Sequence, residues 1–345
     1  MLRVWVVVAL FAAVTVARSR QVGIPLRDPH GEILRSRLAI SAALFVVLAL
    51  LDAVVRTRRR GVALSQVGTV LRDRWPLRRL ALAWSGLLAY HAVYFCYHNL
   101  KSWDVLNRPR DAMLLRWDSA LFLGHSPAVL LHDLLGQHLA AYLLLGIYES
   151  FSWLVSVAFV SAIVLTDRVR EGYVFIASAI CVWILGVSCY YLIPSLGPFW
   201  SAPHDFAGLP HTMVQDTQVR YLAQRAHLLA HPAAADAFAQ VSAFASLHIG
   251  VTTVIMLMAH YYRLRTLTRL LVVYLAGTLV ATVYLGWHFV VDDIAGLLIG
   301  ALAVCFGRLL VHPRQPPAPW RPGPGRGSAR ARVRRTRPLL AGRRR

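Results

Sequence analysis

The sequence predicts an all-α, polytopic membrane helical bundle: a six-helix core preceded by two further helices. Three observations lead there. Of the 345 residues, 57% are hydrophobic, above the roughly 45–50% of ordinary globular domains, and mean hydropathy is +0.52. Several apolar runs reach the ~17–25 residues that cross a bilayer as a helix. None shows the short, alternating pattern of barrel strands.

Eight apolar segments follow along the chain, near 2–17, 38–55, 80–98, 139–165, 172–193, 241–262, 267–286 and 289–311. The first is short enough to resemble a signal peptide. Its only N-terminal charge is Arg3, and no good small-residue cleavage pattern follows, so it reads as a membrane helix. Between segments three and four, Asp111–Leu135 reads as partly helical and interfacial, with Trp117 and Phe122 toward lipid. Pro194-Ser195-Leu196-Gly197-Pro198 ends the fifth segment and turns the chain. The Ala-rich stretch 221–240 is amphipathic and suits a helix lying on the surface. Three regions result: 1–79, two helices and a basic loop; 80–311, the core; and 312–345, an Arg/Pro-rich tail.

The formal charge of +21 is unevenly spread. The tail holds eleven arginines and no acid, which suits a disordered cytoplasmic segment drawn to anionic lipid. No aromatic pattern interleaves those arginines, so no nucleic-acid partner is expected. Loops 56–79, 166–171 and 263–269 are also basic. Placing them inside satisfies the positive-inside rule at a plasma membrane and turns loops 99–138 and 194–240 outward, with the turn at Gly286. Residues 18–37, with five arginines, run against this orientation. Cys96, Cys181, Cys189 and Cys305 lie in apolar segments without CxxC spacing and read as small buried hydrophobes.

The chemistry concentrates in two motifs. Ser246-Leu247-His248 is followed forty residues later by His288-x-x-x-Asp292. Imidazole and carboxylate near a bilayer are costly and call for a function. In a helix running from 288, His288 and Asp292 share a face, the carboxylate holding one ring nitrogen and leaving the other free to attack. His248 can then serve as the acid. In the outward-facing arrangement all three groups reach the same side. Glu149, inside segment four, either pairs with a neighbouring helix or lines a cavity. The other histidines, His91 and His132 among them, read as mostly solvated or interfacial.

Together Ser246-Leu247-His248-x-Gly250 and Tyr284-Leu285-Gly286-Trp287-His288-x-x-x-Asp292-x-x-x-Gly296 resemble the type 2 phosphatidic acid phosphatase superfamily. The branch they resemble most is that of the inositol phosphorylceramide synthases and sphingomyelin synthases, which implies an inositolphosphotransferase-like activity. The resemblance covers about 80–310. It implies that His288 attacks phosphorus and becomes a phosphohistidine, that Asp292 orients it, and that His248 protonates the leaving alkoxide and then deprotonates the acceptor. Ser246 would help hold the phosphoryl oxygens. It implies no metal or organic cofactor, and a phospholipid or other lipid-linked phosphate as substrate.

Two departures stand out. The family's phosphatases carry a proline where this chain has Ala245, and a phosphate-binding arginine six residues before the nucleophile, where it has Thr282. The missing cation must be replaced, or the substrate is a diester with less charge to neutralise, which favours transfer over monoester hydrolysis. The family's first motif, K-x6-R-P, is matched by Lys101, Arg108 and Pro109, which are thus candidate phosphate ligands, although two helices separate them from His248. Three alternatives stay open: a lipid phosphate or prenyl pyrophosphate phosphatase, a metal site built from His248, His288, Asp292 and Asp293, and a lipid-binding scaffold or transporter.

Overall fold

The computed structural model describes residues 1–313, and those residues form α-helices and loops without a strand. The helices are α1 (Leu2–Val22), α2 (Arg35–Arg59), α3 (Val67–Arg74), α4 (Leu77–Asp104), α5 (Asp111–Leu121), α6 (Pro127–Leu135), α7 (Leu139–Val164), α8 (Val169–Leu192), α9 (Pro198–Ser201), α10 (Met213–Ala230), α11 (Leu247–Tyr261), α12 (Arg265–Tyr284) and α13 (Val290–Val311). Seven of them, α1, α2, α4, α7, α8, α12 and α13, are long and apolar enough to cross a membrane, and α11 is a shorter apolar helix. The chain is a membrane protein. The Arg/Pro-rich tail, with its expected affinity for anionic lipid, lies outside the described residues from 314 onward.

α8 sits at the centre. It packs against α4, α7, α11 and α13, and every residue from Gly172 to Trp183 is buried. A helix enclosed on all sides has no use for a polar face, which is why its sequence is apolar all round. Tyr173 Oη and Tyr191 Oη donate to the carbonyls of Leu82 and Leu100, tying α8 to α4 at two heights. α1 packs on α4, where Trp5 Nε1 donates to Ser85 Oγ at 2.8 Å.

α11 and α13 approach each other through glycine. A Cβ built on Gly296 would stand 2.5 Å from the carbonyl oxygen of Ser246, and one on Gly300 would stand 2.6 Å from that of Gly250. Small residues let backbones meet this closely where helices pack in a membrane.

The two ends of the bundle differ. At one, the basic loops meet. Arg56 pairs with Asp52 and with Asp167 at 2.7 Å, Arg74 pairs with Asp52 at 3.3 Å, and Arg79 donates to the carbonyls of Thr166 and Asp167. At the other, loops 105–138, 193–246 and 285–289 fold over one another. Arg110 N donates to Pro194 O, Phe199 N to Gly286 O, and Gln218 Nε2 to Leu285 O. Arg27, in the basic loop that ran against the orientation rule, is buried at this second end. Its guanidinium donates to the carbonyls of Ala237 and Pro232, so its charge fastens a loop.

Four local expectations need correction. Residues 241–246 are not the start of the sixth helix. Ala243 N donates to Ser195 O, Phe244 N to Ser195 Oγ and Ser246 N to Asp292 O, which holds them non-helical and delays α11 to Leu247. The surface helix spans Met213–Ala230, not 221–240, because Thr212 and Gln215 form a capping box at its start and Pro232 forbids its continuation. His91 and His132 are buried; His91 meets Ser41 Oγ and Leu87 O, and His132 Nε2 meets Tyr284 O, so neither needs solvent. Cys305 is exposed on the outside of α13, not buried.

Replacing Gly300 with alanine should force α11 from α13, since the obstacle is backbone and cannot rotate away. Overpacking of this kind costs about 1–3 kcal/mol. Thermal unfolding in detergent should show a lower midpoint for Gly300→Ala. Gly146→Ala, whose Cβ meets nothing within 4 Å, should unfold at or above the wild-type temperature. Equal midpoints for the two variants would contradict the packing described.

Candidate active site

The site forms where the N-terminus of α13 meets that of α11. α12 ends at Tyr284, and Gly286 takes φ +78°, which turns the chain back. Trp287 N and His288 N both donate to Thr282 O, closing the end of α12. α13 then begins at Val290, two residues beyond His288. His288 is therefore not on the helix with Asp292, as the spacing suggested. The two meet because the loop folds over the first turn: Asp292 Oδ2 accepts from Phe289 N at 3.0 Å and lies 3.5 Å from His288 Nδ1. That separation is long for a hydrogen bond.

The next two N–H groups of α13 are taken by a residue from far away. Asp118, buried on α5, accepts from Val290 N at 2.8 Å and from Val291 N at 3.0 Å. A carboxylate there satisfies helix donors that have no partner of their own and favours the positive end of the helix dipole. Asp111, at the other end of α5, accepts from Leu196 N and Gly197 N and fixes the loop that covers the site. Burial pushes both carboxyls above their ordinary range, against the N–H groups that hold them down. Asp293, also buried, takes the hydroxyl of Thr282 at 2.8 Å.

His248 lies in the first turn of α11, whose N-cap is Ser246. Its ring stacks on Tyr148 at 4.5 Å and stands edge to face with His288 at 5.7 Å. Tyr148 in turn lies parallel to Trp287 at 5.7 Å. His288 is held well below its ordinary pKa, first by burial and then by the charges of His248 and Lys101, against a hydrogen bond with the Ala243 backbone.

Both imidazoles line one cavity of about 270 Å³. Lys101, near the end of α4, lines it too, with Nζ 5.8 Å from the centre of the Tyr190 ring. So does Arg220 of α10, which lies just before the stretch 221–240 read as an amphipathic surface helix and was not singled out in the sequence. Glu149 lines this cavity as well, the second of its two expected placements. Arg108 does not reach the cavity and is exposed: α4 stops at Asp104, and the chain then turns through Pro109 so that Arg110 can bond Pro194. Ser246 is fully buried and does not line the cavity either; its hydroxyl faces Ile249 N at 3.5 Å as a helix cap. Among the described residues, no three His, Cys, Asp or Glu side chains are grouped to hold a metal ion.

At one end of a polytopic helical bundle, two imidazoles and a buried carboxylate thus meet. The family follows from the sequence: the PAP2 superfamily profile matches residues 112–306, and the chain belongs to that superfamily. Its members are typically phosphatase-type enzymes. No curated protein and no solved structure matches the chain significantly.

Asp118→Ala should leave two α13 N–H groups without their partner. Loss of a cap costs about 0.5–2 kcal/mol, and a buried unsatisfied donor about 1–3 kcal/mol. Thermal unfolding in detergent should fall measurably, with Asp118→Asn in between because one oxygen remains. An unchanged midpoint in Asp118→Ala would show that the cap does not hold this end of α13.

Proposed function

We propose that the protein is a lipid phosphotransferase of the inositolphosphotransferase kind, working at the outer face of a plasma membrane through a phosphohistidine. The observation that carries this reading is the placement of His248 and His288 against each other on one cavity, with Asp292 beside the second ring.

In this reading Asp292 holds Nδ1 of His288 and leaves Nε2 to attack. The contact with the Ala243 carbonyl gives way to the substrate phosphorus. The N–P bond forms as the P–O bond to the lipid alcohol breaks, and His248 supplies the proton that the departing alkoxide takes. In the second half the acceptor hydroxyl gives its proton to His248, its oxygen bonds phosphorus and the N–P bond breaks. Lys101 and Arg220 are the cavity's cations and stabilise the charged oxygens of the transition state. Arg108 and Ser246 take no direct part; Ser246 acts by capping α11.

Transfer is favoured over monoester hydrolysis by the missing arginine. Its position is held by Thr282, whose hydroxyl is committed to Asp293 and so offers phosphate no charge. The outward face rests on the basic loops gathering at the opposite end of the bundle.

The test is turnover of purified protein on phosphatidylinositol with a lipid alcohol, and on phosphatidate and a prenyl pyrophosphate, scored for new phospholipid against free phosphate. The expected product is a new phospholipid, and His288→Ala should lose nearly all turnover while unfolding at the wild-type temperature. Free phosphate alone would make the enzyme a phosphatase, and full activity in His288→Ala would remove the proposed nucleophile.

A further inference from the structure

The end of the bundle away from the imidazoles carries a cavity of its own, of about 340 Å³. Tyr148, stacked on His248, and Val164, at this other end, stand 16 residues apart on α7, about 24 Å along a helix. The cavity is therefore separate from the reaction site. Its wall holds four arginines: Arg56 from the last turn of α2, Arg60 just after it, Arg74 from the last turn of α3 and Arg79 from the first turn of α4. Val70, Asp73 and Pro76 complete it, and Asp73 is exposed.

The positive-inside rule asks only that basic residues lie on one side of a membrane. Gathering four guanidiniums from three helices around one space goes further, because like charges repel. Part of the repulsion is offset within the protein: Asp52 and Asp167 are shared between Arg56 and Arg74 at 2.7 to 3.3 Å. Among the described residues, Arg60 and Arg79 have no ion pair. Arg79 meets the carbonyls of Thr166 and Asp167 and the face of Trp75, 4.8 Å from the ring centre.

Donors at this corner also go unused. The Nε–H of Arg79 and the indole N–H of Trp75 are shielded from solvent and have no acceptor among the described residues. Arg74 Nε lies 3.3 Å from Asp52 Oδ2 without forming a hydrogen bond. Folded proteins satisfy most buried donors, so unused ones grouped beside a cationic cavity point to an acceptor from outside. Phosphate fits, since guanidinium holds its oxygens through paired N–H bonds. Two arginines without an ion pair match the charge of about −2 on a monoester better than the single charge of a diester. Leu77, next to Pro76 of the wall, is 85% exposed, which suits the acyl chains of a lipid beside the cavity.

We propose that this cavity is a second anion site, which binds a phosphate monoester carried by an anionic lipid or free in solution. It rests on no step of the reaction. All of its wall residues precede the family match at 112–306, so the site belongs to the N-terminal helices and the start of α4.

The test is photolabelling of full-length His288→Ala protein, so that the probe is not consumed, in phosphatidylcholine vesicles. The probe is a phosphatidate with a diazirine on its acyl chain near the glycerol, and the label is located by mass spectrometry of the peptides. Label within 56–79 reads this site, and label near 248 or 288 reads the other, so the two assignments fail separately. Unlabelled phosphatidate should displace the label from 56–79 at a concentration about tenfold below that needed with phosphatidylglycerol, a diester. Arg60→Gln and Arg79→Gln should each cut that label about fivefold. Arg60 is exposed and bonds no side chain, so its variant keeps the fold if Arg79→Gln does not. Arg58→Gln removes a charge from the same helix end but outside the wall, and should leave the label within twofold. Displacement by inorganic phosphate would make the free ion a ligand of the site, and resistance to it would confine the site to lipid. No label within 56–79, equal displacement by the diester, or equal losses in Arg58→Gln and Arg60→Gln would overturn the assignment.

Discussion

The N-terminus of α13 is the constraint from which the site follows. A helix start buried in a membrane protein carries N–H groups that water cannot satisfy. Here three successive ones are taken by two carboxylates, Phe289 by Asp292 and Val290 and Val291 by Asp118. The first of these bonds folds the loop over the helix and brings His288 to Asp292. The others bind α5 to α13, and α5 in turn holds the loop at Leu196–Gly197 through Asp111. One requirement of backbone hydrogen bonding thus sets the position of the nucleophile candidate and of the cover above it.

The same helix start also sets the second imidazole. Asp292 offers its backbone carbonyl to Ser246 N, and the glycines at 296 and 300 let α11 come against α13 at backbone distance. His248, two residues after Ser246, has little freedom left. Its ring is sandwiched toward Tyr148 on one side and reaches His288 on another. Rings held by packing and by second contacts give the positional precision that catalysis needs. Buried acids are costly in a bilayer, and each one at this end has backbone or hydroxyl donors to offset that cost.

Much of this was legible in the sequence, for reasons that differ by residue. The long apolar runs mark the membrane helices because crossing a bilayer imposes length and composition together. His248, His288, Asp292 and Lys101 stood out as polar groups in or beside such runs, and all four gather at one end. What the sequence could not display is pairing across distance. Asp118 looked like an ordinary acid on an interfacial helix; its partners lie 172 and 173 residues away. Residues 241–246 are apolar and read as helix, yet they are held by hydrogen bonds to Ser195 and Asp292. Arg220 lies one residue before the stretch read as amphipathic and carried no signal of its own; only the packing of α10 over the cavity gives its charge a target. Arg108 matched a motif by letter and spacing, but the turn after α4 carries it outward.

The central claim is that phosphorus becomes bonded to one particular nitrogen-bearing side chain. It is tested most directly by incubating the full-length protein with a donor lipid radiolabelled in its phosphate, quenching in alkali and locating the label by mass spectrometry of the peptides. The account predicts stoichiometric label on His288, stable in alkali and lost in acid, and discharged when an acceptor alcohol is added. Turnover without any label on His288, or label on another residue that forms and discharges at the catalytic rate, would contradict it.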